Sequence, residues 1–175
     1  CQAMILGGTG PVGQRISRLL AAQGAHVYLV SRDLERASTC CQFIQQKTPN
    51  THLEPLSGKM VGEVIGSVDL IISAGKPGIK MLTATQLSQA TSNTVCIDLN
   101  AVPPAGINGI QPADEARRDG TKHLYGALSV GEMKMKLHKA AIQQLFQTND
   151  QWIDAEELLM LSERLSFPAN KPINK

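Results

Sequence analysis

Residues 1–14, Cys1-Gln-Ala-Met-Ile-Leu-Gly-Gly-Thr-Gly-Pro-Val-Gly-Gln14, leave this chain few ways to fold. Residues 3–6 form an apolar run long enough for a buried strand. Gly8-Thr9-Gly10-Pro11-Val12-Gly13 then fits the spacing G-x-G-x-x-G. Residues 14–23 have helical spacing, with Ile16, Leu19, Leu20 and Gln23 on neighbouring faces. Strand, glycine loop and helix in that order make the dinucleotide-binding fingerprint. Gly8 is expected to permit the tight turn out of the strand. Gly10 has no side chain to hold the backbone away from a pyrophosphate, and Gly13 lets the helix lie close on the strand. Pro11 suits the first helical turn, where its missing N–H is no loss. The free N–H groups of that turn and the helix dipole favour an anion, and Val12 belongs to the same turn. The alternative is a plain tight turn in an α/β protein.

The length of 175 residues suits one domain with a sizeable core, and 42% hydrophobic against 18% charged residues reads as a soluble globular chain. Seventeen basic and 15 acidic residues leave a net charge of +2, and no basic stripe with interleaved aromatics stands out. That balance argues against a nucleic-acid partner. No apolar run approaches the roughly 20 residues needed to span a bilayer, so no membrane partner is expected. Cys1, Cys40, Cys41 and Cys96 contain no C-x-x-C, and no metal-ligand cluster stands out. They read as small buried or half-buried residues of a cytoplasmic protein, with no metal site. Nothing precedes the first strand, not even an initiating Met. The chain is therefore expected to be a piece of something longer, or a renumbered domain.

Further strands are expected at 26–30, 51–55, 68–72, 94–98 and 123–128. Helices are expected at 34–46, 58–65 (weak, interrupted by Gly62), 82–90 and 131–146, and from Asp154 onward. Residues 100–122 read as loop, with a short helix near 113–118. The alternation implies an α/β fold: a doubly wound parallel sheet of Rossmann type, strand order 3-2-1-4-5-6. One domain over 1–166 and a frayed tail over 167–175 are expected. In the last helix Leu158, Leu159, Met160, Leu161 and Leu165 cover more than one face. Such a helix is often buried on two sides, which would favour self-association as a homo-oligomer.

Ligands of such a sheet sit at the carboxyl ends of its strands. The second strand ends in Ser31-Arg32, where a fold selective for NAD puts a carboxylate on the ribose hydroxyls. A guanidinium holds a phosphate bidentately and stacks on adenine, which favours NADP. Asp33 is better used as a helix cap than on a ribose. Ala74 and Gly75 are small enough to leave room for ribose and nicotinamide. Lys76 either faces a phosphate or substrate or is a solvated loop lysine. Asn100, followed by Pro103 and Pro104, suggests a rigid loop near the nicotinamide, while Asp98 either shares that site or caps a turn. Lys134 stands near a helix N-terminus, where a cation gains nothing from the dipole unless an anion lies nearby.

Gly-Gly-Thr-Gly-Pro-Val-Gly-Gln-Arg at 7–15, Ser31-Arg32, Asp98-Leu-Asn-Ala-Val-Pro-Pro104, Gly126-Ala-Leu and Lys134-Met-Lys-Leu-His138 occur in that order. Together they resemble the NADP-dependent methylene-tetrahydromethanopterin dehydrogenases, some of which also accept methylene-tetrahydrofolate. The resemblance runs from about Met4 to Leu165. It implies hydride transfer from the methylene carbon of a reduced pterin to NADP⁺, giving the methenyl form. The resulting cation is shared between two nitrogens, so no proton need be removed. Thr9, Gly10, Ser31 and Arg32 carry over as cofactor residues, and Lys134 as a residue near the cleft with a catalytic part. Members of that family carry an N-terminal substrate domain, which is expected to be missing from this chain. Two other readings stay open: a shikimate-dehydrogenase-like or glutamyl-tRNA-reductase-like domain, and a non-catalytic NADPH-binding module.

Overall fold

In the computed structural model the described residues are 1–90, 93–147 and 150–165. The tail expected at 167–175 lies outside them. The chain forms two compact units, Cys1–Val130 and Gly131–Lys175.

The first unit is built on β1 (Gln2–Leu6), whose residues alternate between two cores. Ala3 and Ile5 pack with Val27, Leu29 and Ile72 on one face of the sheet. Met4 and Leu6 pack with Val30, Leu56 and Ile71 on the other. A strand buried on both faces needs helices on both, and the chain supplies them in turn: α1 (Pro11–Ala22), β2 (His26–Ser31), α2 (Leu34–Lys47), β3 (His52–Ser57), the single turn α3 (Val61–Val64), β4 (Leu70–Ser73), α4 (Ala84–Ser88) and β5 (Val95–Asp98). β1 pairs in parallel with β2 on one side and β4 on the other. β3 extends the sheet beyond β2, and β5 extends it beyond β4. Pro55 is tolerated inside β3 because that strand is an edge.

The far edge departs from expectation. The sheet has seven strands in the order β3-β2-β1-β4-β5-β7-β6, not 3-2-1-4-5-6. Residues 113–118 are not a helix. Asp114 is buried; its carboxylate accepts the Gln111 N–H at 2.7 Å and Arg117 Nε at 2.6 Å, and Arg117 also donates to the Gly109 carbonyl at 2.6 Å. Burial opposes the charge on Asp114, but these hydrogen bonds and the guanidinium hold its carboxyl below the usual range. With Ala116 at φ +51°, the chain reverses into β6 (Arg117–Asp119), which pairs antiparallel with β7 (Lys122–Tyr125). A two-residue turn, Gly120-Thr121, joins them, with Gly120 at φ +60°. β7 is the parallel neighbour expected for β5, but it ends at Tyr125 rather than 128. Gly126 is wedged against the Gln111 and Pro112 carbonyls, and α5 (Ala127–Leu145) begins at once.

Other boundaries moved for local reasons. The helix expected at 82–90 shortens to α4 because Leu82 is fully buried in a bridge with Ile107, and Thr83 and Gln86 close a capping box. The weak helix at 58–65 breaks into 3₁₀ turns on either side of α3.

The second unit holds α5 beyond Gly131 and α6 (Ala155–Arg164). Asp154 N–H donates to Glu157 at 2.8 Å, part of a capping box at the start of α6. No residue of α6 is buried.

Candidate functional site

β1 and β4 lie side by side, and their connections leave in opposite directions, α1 leading to β2 and α4 to β5. A doubly wound sheet opens a crevice at that point, beyond the carboxyl ends of its strands. Here the crevice is a cleft of about 500 Å³. Gly7, Thr9 and Gly10 follow β1, Ser31, Arg32 and Asp33 end β2, and Ala74, Gly75 and Lys76 follow β4; all of them line it.

The floor is backbone on backbone. Gly7 has φ +73°, and a Cβ there would come 2.6 Å from the Gly75 Cα. The tight turn out of the strand is therefore made by Gly7, not by Gly8 as the sequence spacing suggests. Gly8 is constrained differently: its Cβ would meet the Leu29 side chain at 2.6 Å. Gly13 sits on the loop, where a Cβ would be 2.6 Å from the Gly7 carbonyl oxygen. Gly10 differs from the others. A Cβ there would lie 3.5 Å from the Gly7 oxygen and 4.0 Å from the Ala74 oxygen, which is ordinary contact. The protein itself has room for a side chain at Gly10, so the bare backbone facing the cleft is not required by packing.

The start of α1 is also open. Asp33 caps α2 by accepting the Glu35 and Arg36 N–H groups at 3.0 and 3.3 Å, and Thr83 caps α4. At α1 the N-cap is Gly10, no side chain caps the helix, and no acidic residue stands in its first turn. An uncapped helix start carries unpaired N–H groups and a partial positive charge, an arrangement suited to an anion.

Charge around the cleft points the same way. Arg32, Arg36 and Lys76 line it, and among the described residues no hydrogen bond or ion pair engages their side chains. Asp33 is the acidic residue of the wall, and its carboxylate is turned into α2 as the cap.

Of the expected site residues, the structure brings Thr9, Gly10, Ser31, Arg32, Ala74 and Gly75 together in one cleft. Gly8, Pro11, Val12 and Gly13 shape the loop and helix behind it without lining it. Asn100 is elsewhere. Its amide donates to the Val102 and Pro104 carbonyls at 2.9 and 3.2 Å and accepts the Val102 N–H at 2.9 Å. It lines a separate hollow of about 270 Å³ with Lys80 and the prolines. Ile79 and Met81 face the cleft, and Lys80 between them faces that other hollow. Lys134 is exposed on α5 in the second unit. The sequence reading did not place Gly7, Arg36, Ile79 or Met81 at the site; Arg36 alone had a signal, a second arginine four residues after Arg32.

Cys41 and Cys96 are buried, which pushes both thiols up to about 12 and makes them poor nucleophiles. Among the described residues no group of three or more His, Cys, Asp or Glu is placed to hold a metal ion, and no helix is long and apolar enough to cross a membrane.

No protein-family model matches the chain. It is 34% identical over 167 residues to the "Bifunctional protein MdtA" of Methylorubrum extorquens, covering 94% of this chain and 58% of the relative. It is 30% identical over 152 residues to the "NAD(P)-dependent methylenetetrahydromethanopterin dehydrogenase" of the same organism, covering 84% of this chain and 51% of that one. The chain thus spans about half the length of the curated relatives it matches. Among solved structures it resembles a transhydrogenase from Sinorhizobium meliloti, with TM-score 0.58, 17% identity, and coverage of 71% of this chain and 36% of that one. It also resembles quinate dehydrogenase from Corynebacterium glutamicum in complex with NAD, with TM-score 0.56, 15% identity, and coverage of 93% and 55%. These likenesses establish the Rossmann-type fold.

Proposed function

We propose that this chain is the NADP-binding part of an oxidoreductase that takes a hydride from a methylene-tetrahydropterin, methylene-tetrahydromethanopterin or methylene-tetrahydrofolate. The observation that carries the nucleotide reading is Gly10: backbone left bare where the fold would accept a side chain, at the open end of α1. The bare loop and the uncapped first turn would hold the pyrophosphate. Ser31 and Arg32 would face the adenosine ribose, and Ala74 and Gly75 would leave room for the rest of the dinucleotide. Bound NADP⁺ supplies the hydride acceptor. The chain's own residues position it and screen its charge.

The pterin reading rests on the two relatives and on the Asn-Ala-Val-Pro-Pro and Lys-Met-Lys blocks. The proposed part of Lys134 near the cleft rests on that resemblance alone. The proposal extends to the whole relatives' length: the half not matched here would supply the pterin side of the site. This chain by itself is then expected to bind NADP⁺ but not to oxidise methylene-tetrahydromethanopterin. Hydride transfer needs donor and acceptor carbons held about 3–3.5 Å apart, and one wall alone does not hold them. A steady-state assay beside a calorimetric titration checks this. Turnover on the order of 1–1000 per second would show that the chain suffices and refute the two-part reading. Binding without turnover on the pterin, but with turnover on quinate or shikimate, would favour the shikimate-dehydrogenase-like reading. Binding without any turnover, even in a protein of the relatives' full length, would favour a non-catalytic NADPH-binding module.

Cofactor choice gives a second expectation. Arg32→Ala should weaken NADP⁺ by roughly ten- to a hundred-fold, since a charged hydrogen bond contributes about 1.5–3 kcal/mol. NAD⁺, which lacks the 2′-phosphate, should be nearly unaffected. Equal loss for both cofactors would assign Arg32 another task.

A further inference from the structure

Along the 19 residues of α5, Leu128, Met135 and Ile142 recur every seven positions and are 60%, 54% and 54% exposed. At about 100° per residue they share, with Glu132 and Lys139, a stripe about 80° wide. Three large apolar side chains in line on one helix face differ from single ones scattered over a surface, and mark a place where something docks. Gly131 stands at the edge of the same stripe. A Cβ there would meet nothing within 4 Å, so packing inside the chain asks for no glycine, although glycine weakens a helix interior. The charges on the stripe are ordered. Glu132 precedes Met135 by three residues and pairs with Lys136 at 3.3 Å, both exposed. Lys139 follows Met135 by four residues, exposed and without a partner among the described residues.

We propose that this face is self-complementary: α5 of a second copy of the chain lies on it, antiparallel, about a two-fold axis through Met135. Leu128 and Ile142 each stand about 10.5 Å along the helix from that axis, so each meets the other's counterpart in the second copy. Glu132 and Lys139 stand about 4.5 and 6 Å from it, on one side of the seam, so each finds the opposite charge across the two-fold. On the other side His138 comes against the bare backbone of Gly131, which accounts for a glycine that packing within the chain does not need. A parallel pairing would instead set Glu132 against Glu132 and Lys139 against Lys139. The two-fold makes every contact occur twice, as an isologous interface requires. One helix pair buries less than the roughly 1,200–2,000 Å² of a tight interface, so the dimer is reversible, with Kd on the order of 10 µM.

The test is sedimentation velocity on the whole chain, without nucleotide, across concentrations from about a tenth to about fifty times that Kd. The unaltered chain should pass from monomer to dimer and no further. Met135→Glu, which sets two carboxylates on the axis, should weaken the dimer by roughly a hundred-fold. Glu132→Lys and Lys139→Glu should each weaken it by roughly three- to thirty-fold, and the two together should restore it, because the pair is only exchanged. Gly131→Leu separates docking from folding: it should raise the melting temperature of the monomer by roughly 2–4 °C and abolish the dimer by filling the gap. A chain that stays monomeric throughout overturns the proposal and leaves the face to another partner. So does a dimer that survives Met135→Glu, or a double charge reversal that recovers nothing. None of these outcomes bears on the nucleotide reading.

Discussion

Gly10→Val should leave the fold standing and abolish dinucleotide binding, whereas Gly13→Ala should damage the fold itself. The two glycines stand three positions apart in one motif, but their surroundings differ. At Gly10 the backbone has φ −76° and ψ 164°, an extended conformation that any residue adopts. A Cβ there would meet only the Gly7 and Ala74 carbonyl oxygens, at 3.5 and 4.0 Å. Valine fits this conformation and projects into the space where a pyrophosphate would approach the loop. Its methyl groups would keep the phosphates from the α1 N–H groups, and a hydrogen bond lengthened beyond about 3.5 Å is lost. We expect affinity for NADP⁺ and NAD⁺ to fall together by more than about a hundred-fold, roughly 3 kcal/mol or more. The melting temperature should move by no more than about 2 °C, as expected of a residue free of packing conflict. At Gly13 a Cβ would lie 2.6 Å from the Gly7 oxygen and 2.7 Å from the Gly8 Cα. These are backbone atoms, so α1 must move off the sheet, at a cost of about 1–3 kcal/mol. Thermal melts beside titrations separate the two cases. A Gly10→Val protein that still binds either cofactor tightly would refute the assignment of the loop.

That contrast shows which part of the site was legible in sequence. The spacing G-x-G-x-x-G located the loop, and its context located the cleft, because a glycine loop between strand and helix has one place to go in a doubly wound sheet. It pointed to Gly8 for the turn that Gly7 makes. Two adjacent glycines satisfy the same local rule, and only the approach of the Gly75 backbone decides it. Asp33 was legible as a cap because an aspartate before a helical run has a local use for its carboxylate. Ile79 and Met81 were not legible: they enter the cleft by alternation across an irregular segment, with Lys80 turned away. The far edge of the sheet was misread for a different reason. Residues 113–118 carry helix-compatible side chains, and the pairing of Asp114 with Gln111 and Arg117, three residues to either side, has the same spacing in this turn as it would have in a helix. The turn that follows had a local sign in Gly120, a glycine that takes the first of the two loop positions between Asp119 and Lys122. The cap at Asp33 could be read from its neighbours in sequence; the choice of Gly7 and the entry of Ile79 and Met81 into the cleft could not, because segments elsewhere in the chain decide them.

Asp98 is the case the sequence left evenly balanced, between a ligand residue and a turn cap, and its geometry makes a large effect on stability the expected one. Asp98 is 1% exposed at the end of β5. One carboxylate oxygen accepts the Asn100 N–H at 3.0 Å, and the other accepts the Ile107 N–H at 2.9 Å. The second contact fixes the return of the chain beside β5. From there Gly106 accepts the Met81 and Leu82 N–H groups at 2.8 and 3.0 Å, and Leu82 bridges Ile107 in parallel. One buried carboxylate thus ties the loop after β5 to the segment that carries Met81 into the cleft. Asp98→Ala leaves the Asn100 and Ile107 amides without their acceptor in the interior. Each unsatisfied buried donor costs about 1–3 kcal/mol, so a loss of roughly 2–5 kcal/mol is expected. At about 2–4 °C per kcal/mol, the melting temperature should fall by roughly 5–20 °C. Asn100→Ala is the control, since it removes an amide that serves its own loop at Val102 and Pro104, most of which is exposed. Its cost should be about 1 kcal/mol. NADP⁺ binding to Asp98→Ala, measured below its melting transition, should weaken only through the displaced Met81 wall, by less than about ten-fold. An Asp98→Ala protein that melts with the unaltered chain but loses the cofactor outright would make Asp98 a ligand residue instead of the tie between these loops.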